Sequence, residues 1–509
     1  MTVTVFESTA SRAAPALAAA LLLSLTACTP DDGERRADVL TFWTPHVTPD
    51  RLAQQEETAA RFTEETGIEV DVVPMEAADQ GPALEVGAEA GDVPDVVLAT
   101  AEQAAAWMRP GLLDPAAAGA VLDELGPETF NERALEMVTA GDDGPVAVPS
   151  DGWGQVLVYR TDMFEAAGVR PPGAAATTTE IADAAERIDT DGVTGIALGT
   201  RPGDPFTTQT LEALLLARDC PLVGRDGAVA LDARGCVGAL GDYQRMAAVS
   251  AGAEQDARTA RDAYLAGESA MLLGGPDIVD ELADLVPGSP TTCDECADDP
   301  AFLAENSGFT AVIGGSEERG AAAGPEGAGG SEGTEGAAGA ESPEGTEDAQ
   351  GADGPGAAPG ARYGQTLNLG VPRGADTADA RAFIEFLLGD GYLESLAVSP
   401  EGRVPMRAGT PREPAAFAEG WSELRTGEAA GTRVPLTDLY DEAAVRGLAD
   451  GAQSIDRWGF GTEHAVFAGT LAVRDTLSRE VGPLIDGADP AEVASAMADA
   501  AREVQADLD

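Results

Sequence analysis

Apolar and polar positions follow two rhythms along the chain. Short apolar runs bounded by turn residues read as strands: Val39-Leu40-Thr41-Phe42-Trp43, residues 68–73, and Asp95-Val96-Val97-Leu98-Ala99. Between the first two, Thr48 stands as N-cap with Pro49 at the first helical position, and Gly67 is the stop. A helix-compatible run at 81–90 separates the second strand from the third. Strand, helix, strand, helix, strand within about sixty residues is the grammar of a parallel, doubly wound sheet. Ligands of such sheets sit beyond the carboxyl ends of the strands.

A second α/β region begins near Pro149, with strands expected at 156–159, 195–198 and 270–273 and helices at 211–218 and 237–250. A further strand is expected at 366–371. The helix expected at 376–388 carries Ala380, Phe383, Ile384 and Leu387 at i, i+3, i+4, i+7 spacing, with Gly389 as its stop. The chain closes on a helix whose start, Asp489-Pro490-Ala491-Glu492, has cap, proline and acid in place, and Val493, Met497, Val504 and Leu508 give it an apolar face. Residues 314–360 break both rhythms. They are dominated by Gly, Ala, Glu and Pro, have no apolar face to bury, and are expected to be disordered.

A chain of 509 residues exceeds one ordinary core, since domains run to about 100–200 residues. Two lobes are expected: residues 39–149 with 308–389, and residues 150–307 with 390–509. The balance of 89 acidic against 31 basic residues gives a net charge of −58, and every basic residue other than the two histidines is arginine. Such a charge repels phosphate backbones and anionic lipid, which argues against nucleic acid as a partner. It could favour cationic solutes, although a solvated acidic surface is the plainer reading.

At the N-terminus, Arg12 precedes an apolar stretch, residues 13–25, that is too short to span a bilayer but has the length of a signal-peptide core. The stretch ends on Leu25-Thr26-Ala27-Cys28, which resembles a bacterial lipobox. This implies a signal peptide at 1–27, acylation of Cys28, and a polar tether at 28–38 on the outer face of the cell membrane. Four cysteines remain: Cys220, Cys236, Cys293 and Cys296. Outside the cytoplasm an even count reads as disulfides, preferred here as Cys220 with Cys236 and Cys293 with Cys296. Zinc binding and thiol redox chemistry are the rivals at Cys293-x-x-Cys296, but the chain has only two histidines, both distant, and no strand-to-helix redox setting.

Four stretches in order resemble the extracellular solute-binding proteins of ABC importers, the sugar-type family that includes the maltodextrin binders. They are Thr41-Phe42-Trp43 through Phe62 and Thr66-Gly67-Ile68; Gly91-Asp92-Val93-Pro94-Asp95-Val96-Val97 with Trp107 and Gly111-Leu112-Leu113; Gly144-Pro145-Val146-Ala147-Val148-Pro149 with Val158-Tyr159-Arg160-Thr161-Asp162-Met163-Phe164; and Ala266-Gly267-Glu268-Ser269-Ala270-Met271 with Gly275-Pro276. The resemblance implies an α/β, two-lobed periplasmic-binding-protein-like fold of type II, with the ligand cleft between lobes. It also implies a monomer without cofactor or metal, delivering a small solute to permease subunits.

Site positions carry over unevenly. Ala99 falls where maltodextrin binders place a stacking tryptophan, and Glu102 where they place an acidic hydroxyl acceptor. Trp153, between two glycines that suit an exposed loop, falls at a cleft position beside Asp151. Asp204-Pro205-Phe206 resembles the family's acid-proline-aromatic contact, and Asp277 follows Gly275-Pro276 where an aromatic often stands. Trp43 is a candidate for either cleft or core. Aromatic faces would stack on sugar rings while carboxylates take hydroxyls. No Gly-x-Ser-x-Gly elbow, Walker loop, zinc-protease helix or Rossmann fingerprint is present, so no catalytic residue is assigned. A sensor lipoprotein of the same fold and a cell-wall hydrolase are the competing readings.

Overall fold

Two sheets organise the chain. In the computed structural model the described residues are 39–508, apart from 140–143, 174–175, 191, 253, 312–361, 398 and 428–432. The leader, Cys28, the tether and the insert at 314–360 therefore lie outside the described residues. Leu40–Asp509 is one compact unit.

The first sheet contains β1 (Val39–Thr44), β2 (Glu69–Pro74), β3 (Val96–Thr100), β4 (Val148–Gly154), β8 (Gly364–Gly370) and β9 (Val404–Pro405), in the order β2-β1-β3-β8-β4-β9. β1 and β3 run parallel, with Phe42 opposite Val96. β8 lies antiparallel to both β3 and β4, so the sheet is mixed where a parallel one was expected. The cause is the path of the chain: β8 enters from the second sheet and runs back against its neighbours.

The second sheet is β5 (Val156–Arg160) flanked by β6 (Met271–Gly274) and β7 (Ser307–Thr310). The strand expected at 195–198 is reduced to isolated bridges from Ile196 to Ser250 and from Ala197 to Leu272. β4 stays in the first sheet as far as Gly154, so the crossing falls at Gln155, beyond the expected boundary at 149–150. β7 pairs in the second sheet, and β9 returns to the first. Residues 404–405 and the helix Ala416–Ser422 packed on them thus belong with the first sheet, contrary to the expected division at 390.

The expected punctuation forms. The helix Pro49–Thr66 begins behind Thr48 and ends on Gly67 at φ 80°, a left-handed conformation that a side chain would strain. Its Phe62 meets Phe383 edge-on, with ring centroids 5.1 Å apart. The helix Thr377–Leu387 buries Ala380, Phe383, Ile384 and Leu387, the four positions of the periodic stripe. The C-terminal helix Pro490–Leu508 buries Val493, Met497 and Val504. These last residues join a core built mostly from the second-sheet helices, including Leu211, Leu215, Leu240 and Tyr243. No helix among the described residues is long and apolar enough to cross a membrane.

Candidate functional site

Thr100, at the end of β3, caps the helix Ala101–Met108 through a reciprocal bond with Gln103, which fixes Glu102 in the first turn. That helix packs against the helix Ala465–Val473, where a Cβ on Gly469 would stand 2.7 Å from that of Ala105. Glu102 is 7% exposed. Its Oε1 forms an ion pair with Arg457 Nη2 at 2.8 Å and accepts from Gln365 Nε2 at 3.1 Å, while Oε2 is buried with no hydrogen-bond partner among the described residues.

Arg457 is fully buried and reaches both halves of the molecule. It donates through Nε and Nη2 to the two oxygens of Glu212, at 2.7 and 2.9 Å, on the helix Pro205–Ala217. Its guanidinium carbon lies 4.8 Å from the ring centroids of both Tyr363 and Phe460. Burying so many charges is stable only with this degree of pairing.

Trp153 lies in strand β4, not in an exposed loop. Its flanking glycines are required by close packing: a Cβ on Gly152 would stand 2.7 Å from the Gln365 carbonyl oxygen, and one on Gly154 2.9 Å from Gly451 C. Trp153 is half-buried and pairs across the sheet with Gln365, the residue that donates to Glu102. Its ring carbon Cη2 lies 4.0 Å from where a Cβ on Gly275 would stand, and Phe206 Cε2 lies 3.8 Å from the same point on Gly274. Glu102, Gln365, Trp153, Gly275 and Phe206 thus form one continuous strip.

Asp204 caps its helix, accepting from the Phe206 amide at 2.9 Å. Nearby Asp475 accepts from Thr208 Oγ1 at 2.7 Å. Burial pushes the Asp475 carboxyl up to about 6, against the Thr208 bond and with help from the charges of Asp204 and Glu102. Asp277 pairs with Arg261 Nη1 at 2.5 Å, and Arg261 Nη2 lies 3.2 Å from Glu281.

Two expected site residues have protein neighbours of their own. Asp151 is 1% exposed and holds Arg403 with both oxygens, at 3.0 and 2.9 Å, while Ser150 Oγ donates to it at 2.8 Å. It fastens β4 to the segment leading into β9 and has no oxygen left for a solute. Trp43 packs with Leu84, Val93 and Trp107 in an outer cluster of the first sheet. Both preferred cysteine pairs are joined as disulfides.

Sequence reasoning missed Arg457, Gln365, Glu212 and Asp475. An arginine set against aromatic residues in Arg457-Trp458-Gly459-Phe460 was the available signal. His46, in the loop between β1 and the helix Pro49–Thr66, is 7% exposed and its Nε2 has no partner among the described residues. Burial, then the charges of Arg403 and Arg51, hold its pKa well below the usual range, so it stays neutral. No cluster of His, Cys, Asp and Glu among the described residues has the arrangement of a metal site.

Comparison with known proteins gives the same outline. The family of bacterial extracellular solute-binding proteins matches residues 48–394. YcjN of Escherichia coli K12, named as an ABC transporter periplasmic-binding protein, is 25% identical over 261 residues, which spans 50% of this chain and 60% of that protein. An ABC transporter solute-binding protein of Thermotoga lettingae solved with α-D-tagatose is 18% identical, covering 92% of this chain and all of that one, with a TM-score of 0.63. A solute-binding protein of Agrobacterium radiobacter K84 solved with ribitol is 16% identical over 92% and 98% of the two chains, with a TM-score of 0.59. At these identities the solved structures establish the two-lobed α/β fold.

Proposed function

The chain belongs to the bacterial extracellular solute-binding proteins, and on that premise we propose that it captures a small polyhydroxylated solute, a sugar or polyol, for the permease of an ABC importer. It is a binding protein and not an enzyme. The observation that carries the solute class is the strip at the cleft. Half-buried Trp153 offers an apolar ring face, whereas Phe206 is buried in the core, and the Glu102 oxygen that has no partner among the described residues is an acceptor held ready for a hydroxyl. Asp204 and Asp277 add acceptors at its two ends. The tagatose and ribitol complexes of similarly folded proteins agree with a compact solute of this kind.

Closure of the lobes about the crossing at Gln155 and β9 traps the solute and shapes the face that the permease reads. Acylation of Cys28, supported by the lipobox-like tetrad, holds the monomer at the outer face of the cell membrane.

A thermal-shift panel of hexoses, pentitols, hexitols and disaccharides tests the solute class. A true solute at a hundredfold excess over its Kd stabilises by about 2.7 kcal/mol. With a hit in hand, Trp153→Ala lowers affinity at least tenfold and leaves the melting temperature of the free protein nearly unchanged. A panel in which only polyamines shift the melting temperature sinks the sugar or polyol reading. A Trp153→Ala variant that loses stability yet binds normally removes Trp153 from the cleft.

A further inference from the structure

The two disulfides sit in opposite electrostatic surroundings. Cys236 Sγ lies 3.6 Å from the Ala230 carbonyl oxygen and Cys220 Sγ 4.0 Å from that of Pro221, so both sulfurs face partial negative charge. Cys293 Sγ instead accepts from the Cys296 amide N–H at 3.2 Å. The point where a Cβ on Gly267 would stand is 3.1 Å from Cys293 Cβ and 3.5 Å from Arg160 Nη1. That Nη1 is buried and has no partner among the described residues, although Arg160 Nε and Nη2 are held by Asp162. The Cys293 sulfur thus has an amide donor, and a buried guanidinium nitrogen with no hydrogen-bond partner among the described residues lies in the neighbourhood of its Cβ.

We propose that Cys293–Cys296 is a reversible thiol–disulfide exchange site, with Cys293 as the leaving thiolate, and that its partner is an extracytoplasmic protein dithiol. A thiolate of the partner attacks Cys296 Sγ. The Cys293–Cys296 bond breaks, and Cys293 departs with the electron pair, stabilised by the Cys296 N–H. The partner's second thiolate then attacks the mixed disulfide and releases Cys296. The partner leaves as a disulfide, and this protein gains two electrons and two thiols. A low-pKa leaving thiol speeds the first step.

Loop length points the same way. Cys293 and Cys296 are 3 residues apart in sequence, against 16 for Cys220 and Cys236, and closing a longer loop gives a disulfide more stabilisation. The sulfurs lie just beneath the surface of a turn whose Asp294, Glu295 and Ala297 are exposed. The Thr292 and Cys293 amides donate to the Leu265 carbonyl at the end of the helix Ala257–Leu265, whose Arg261 holds Asp277.

The test is graded reduction of the full folded chain by dithiothreitol, followed by mass-tag alkylation and peptide mapping. Cys293 and Cys296 become free at a dithiothreitol concentration at least tenfold below that needed for Cys220 and Cys236, with the circular dichroism of the fold retained. In Cys296→Ser, Cys293 reacts with iodoacetamide at pH 6.5 at least tenfold faster than glutathione does. Both pairs opening together, or Cys293–Cys296 opening only in denaturant, overturns the proposal. So does a Cys293 thiol no more reactive than glutathione, a measurement on the wild-type pair after selective reduction serving equally if the variant does not fold.

Discussion

Two arginines are buried where the sheets meet, and they are used differently. Arg403 faces one acid, Asp151, which it grips with two parallel bonds, and it also donates to the Ser395 carbonyl. Arg457 faces two acids contributed by different parts of the molecule, Glu212 and Glu102, and Glu102 Oε2 has no partner among the described residues. The first arrangement is complete and can do nothing but hold. The second ties the helices Ala101–Met108 and Pro205–Ala217 together and presents a buried acceptor, whose desolvation is offset only when a donor arrives. A carboxylate at a strand end is therefore a candidate for solute contact only once the accounting of its two oxygens is known.

The sharpest way to break this comparison is to remove each arginine. Loss of one partner from a buried pair costs about 3–5 kcal/mol. Arg403→Ala strands one carboxylate and Arg457→Ala strands two, so the urea midpoint falls further for Arg457→Ala. An equal or smaller fall means that Glu102 and Glu212 do not depend on the guanidinium between them.

Neutralising the acids instead separates holding from binding. Asp151→Asn lowers stability by about 2–3 kcal/mol, as expected for a weakened charge-assisted pair, and leaves the affinity of the folded fraction unchanged. Glu102→Gln costs less stability, because Arg457 keeps its bidentate bond to Glu212. It lowers affinity for the sugar or polyol found in the panel by about tenfold. Calorimetric titration and urea unfolding on the same two variants check both. If Asp151→Asn weakens binding as much as Glu102→Gln does, the distinction between the two clamps fails.

Much of the fold could be read from residues that act locally. Thr48-Pro49, Gly67, Asp376 and Asp489-Pro490 mark helix ends because caps and prolines work through their own backbone, with no need of distant partners. The direction of β8 could not be read so, since it depends on its pairing with β3 and β4, both far earlier in the chain. Residue types of the proposed site were legible too, Trp153 and Glu102 among them. Their surroundings were not. Two glycines beside Trp153 suggested exposure, whereas they admit the Gln365 carbonyl and Gly451. Asp151 looked available because its partner, Arg403, lies far along the chain. Long-range charge pairing leaves no periodic mark in a sequence with 89 acids.

The smallest expected effect concerns a third arginine, intermediate between the other two. Arg261 is 29% exposed and is shared by Asp277 and Glu281, and Glu281 Oε2 is buried without a partner among the described residues. Burial raises the Glu281 carboxyl to about 7, against the pull of Arg261 and with added repulsion from Asp277. The folded value is therefore above the unfolded one, which is about 4.3. Below that lower value both states hold the proton, so this group's contribution to stability is fully present. Between it and about 7 the unfolded chain has released a proton that the folded chain keeps, and stability falls as pH rises. Above that window both states are ionised and the slope vanishes. Glu281→Gln cannot ionise, so it removes this descent. Relative to wild type it gains on the order of 1 kcal/mol between pH 4 and pH 8, part of the shift being screened through the solvent side of Arg261. Melting temperatures of the two proteins across that range give the answer. Parallel curves mean that Glu281 ionises normally and that Arg261, like Arg403, is a complete clamp.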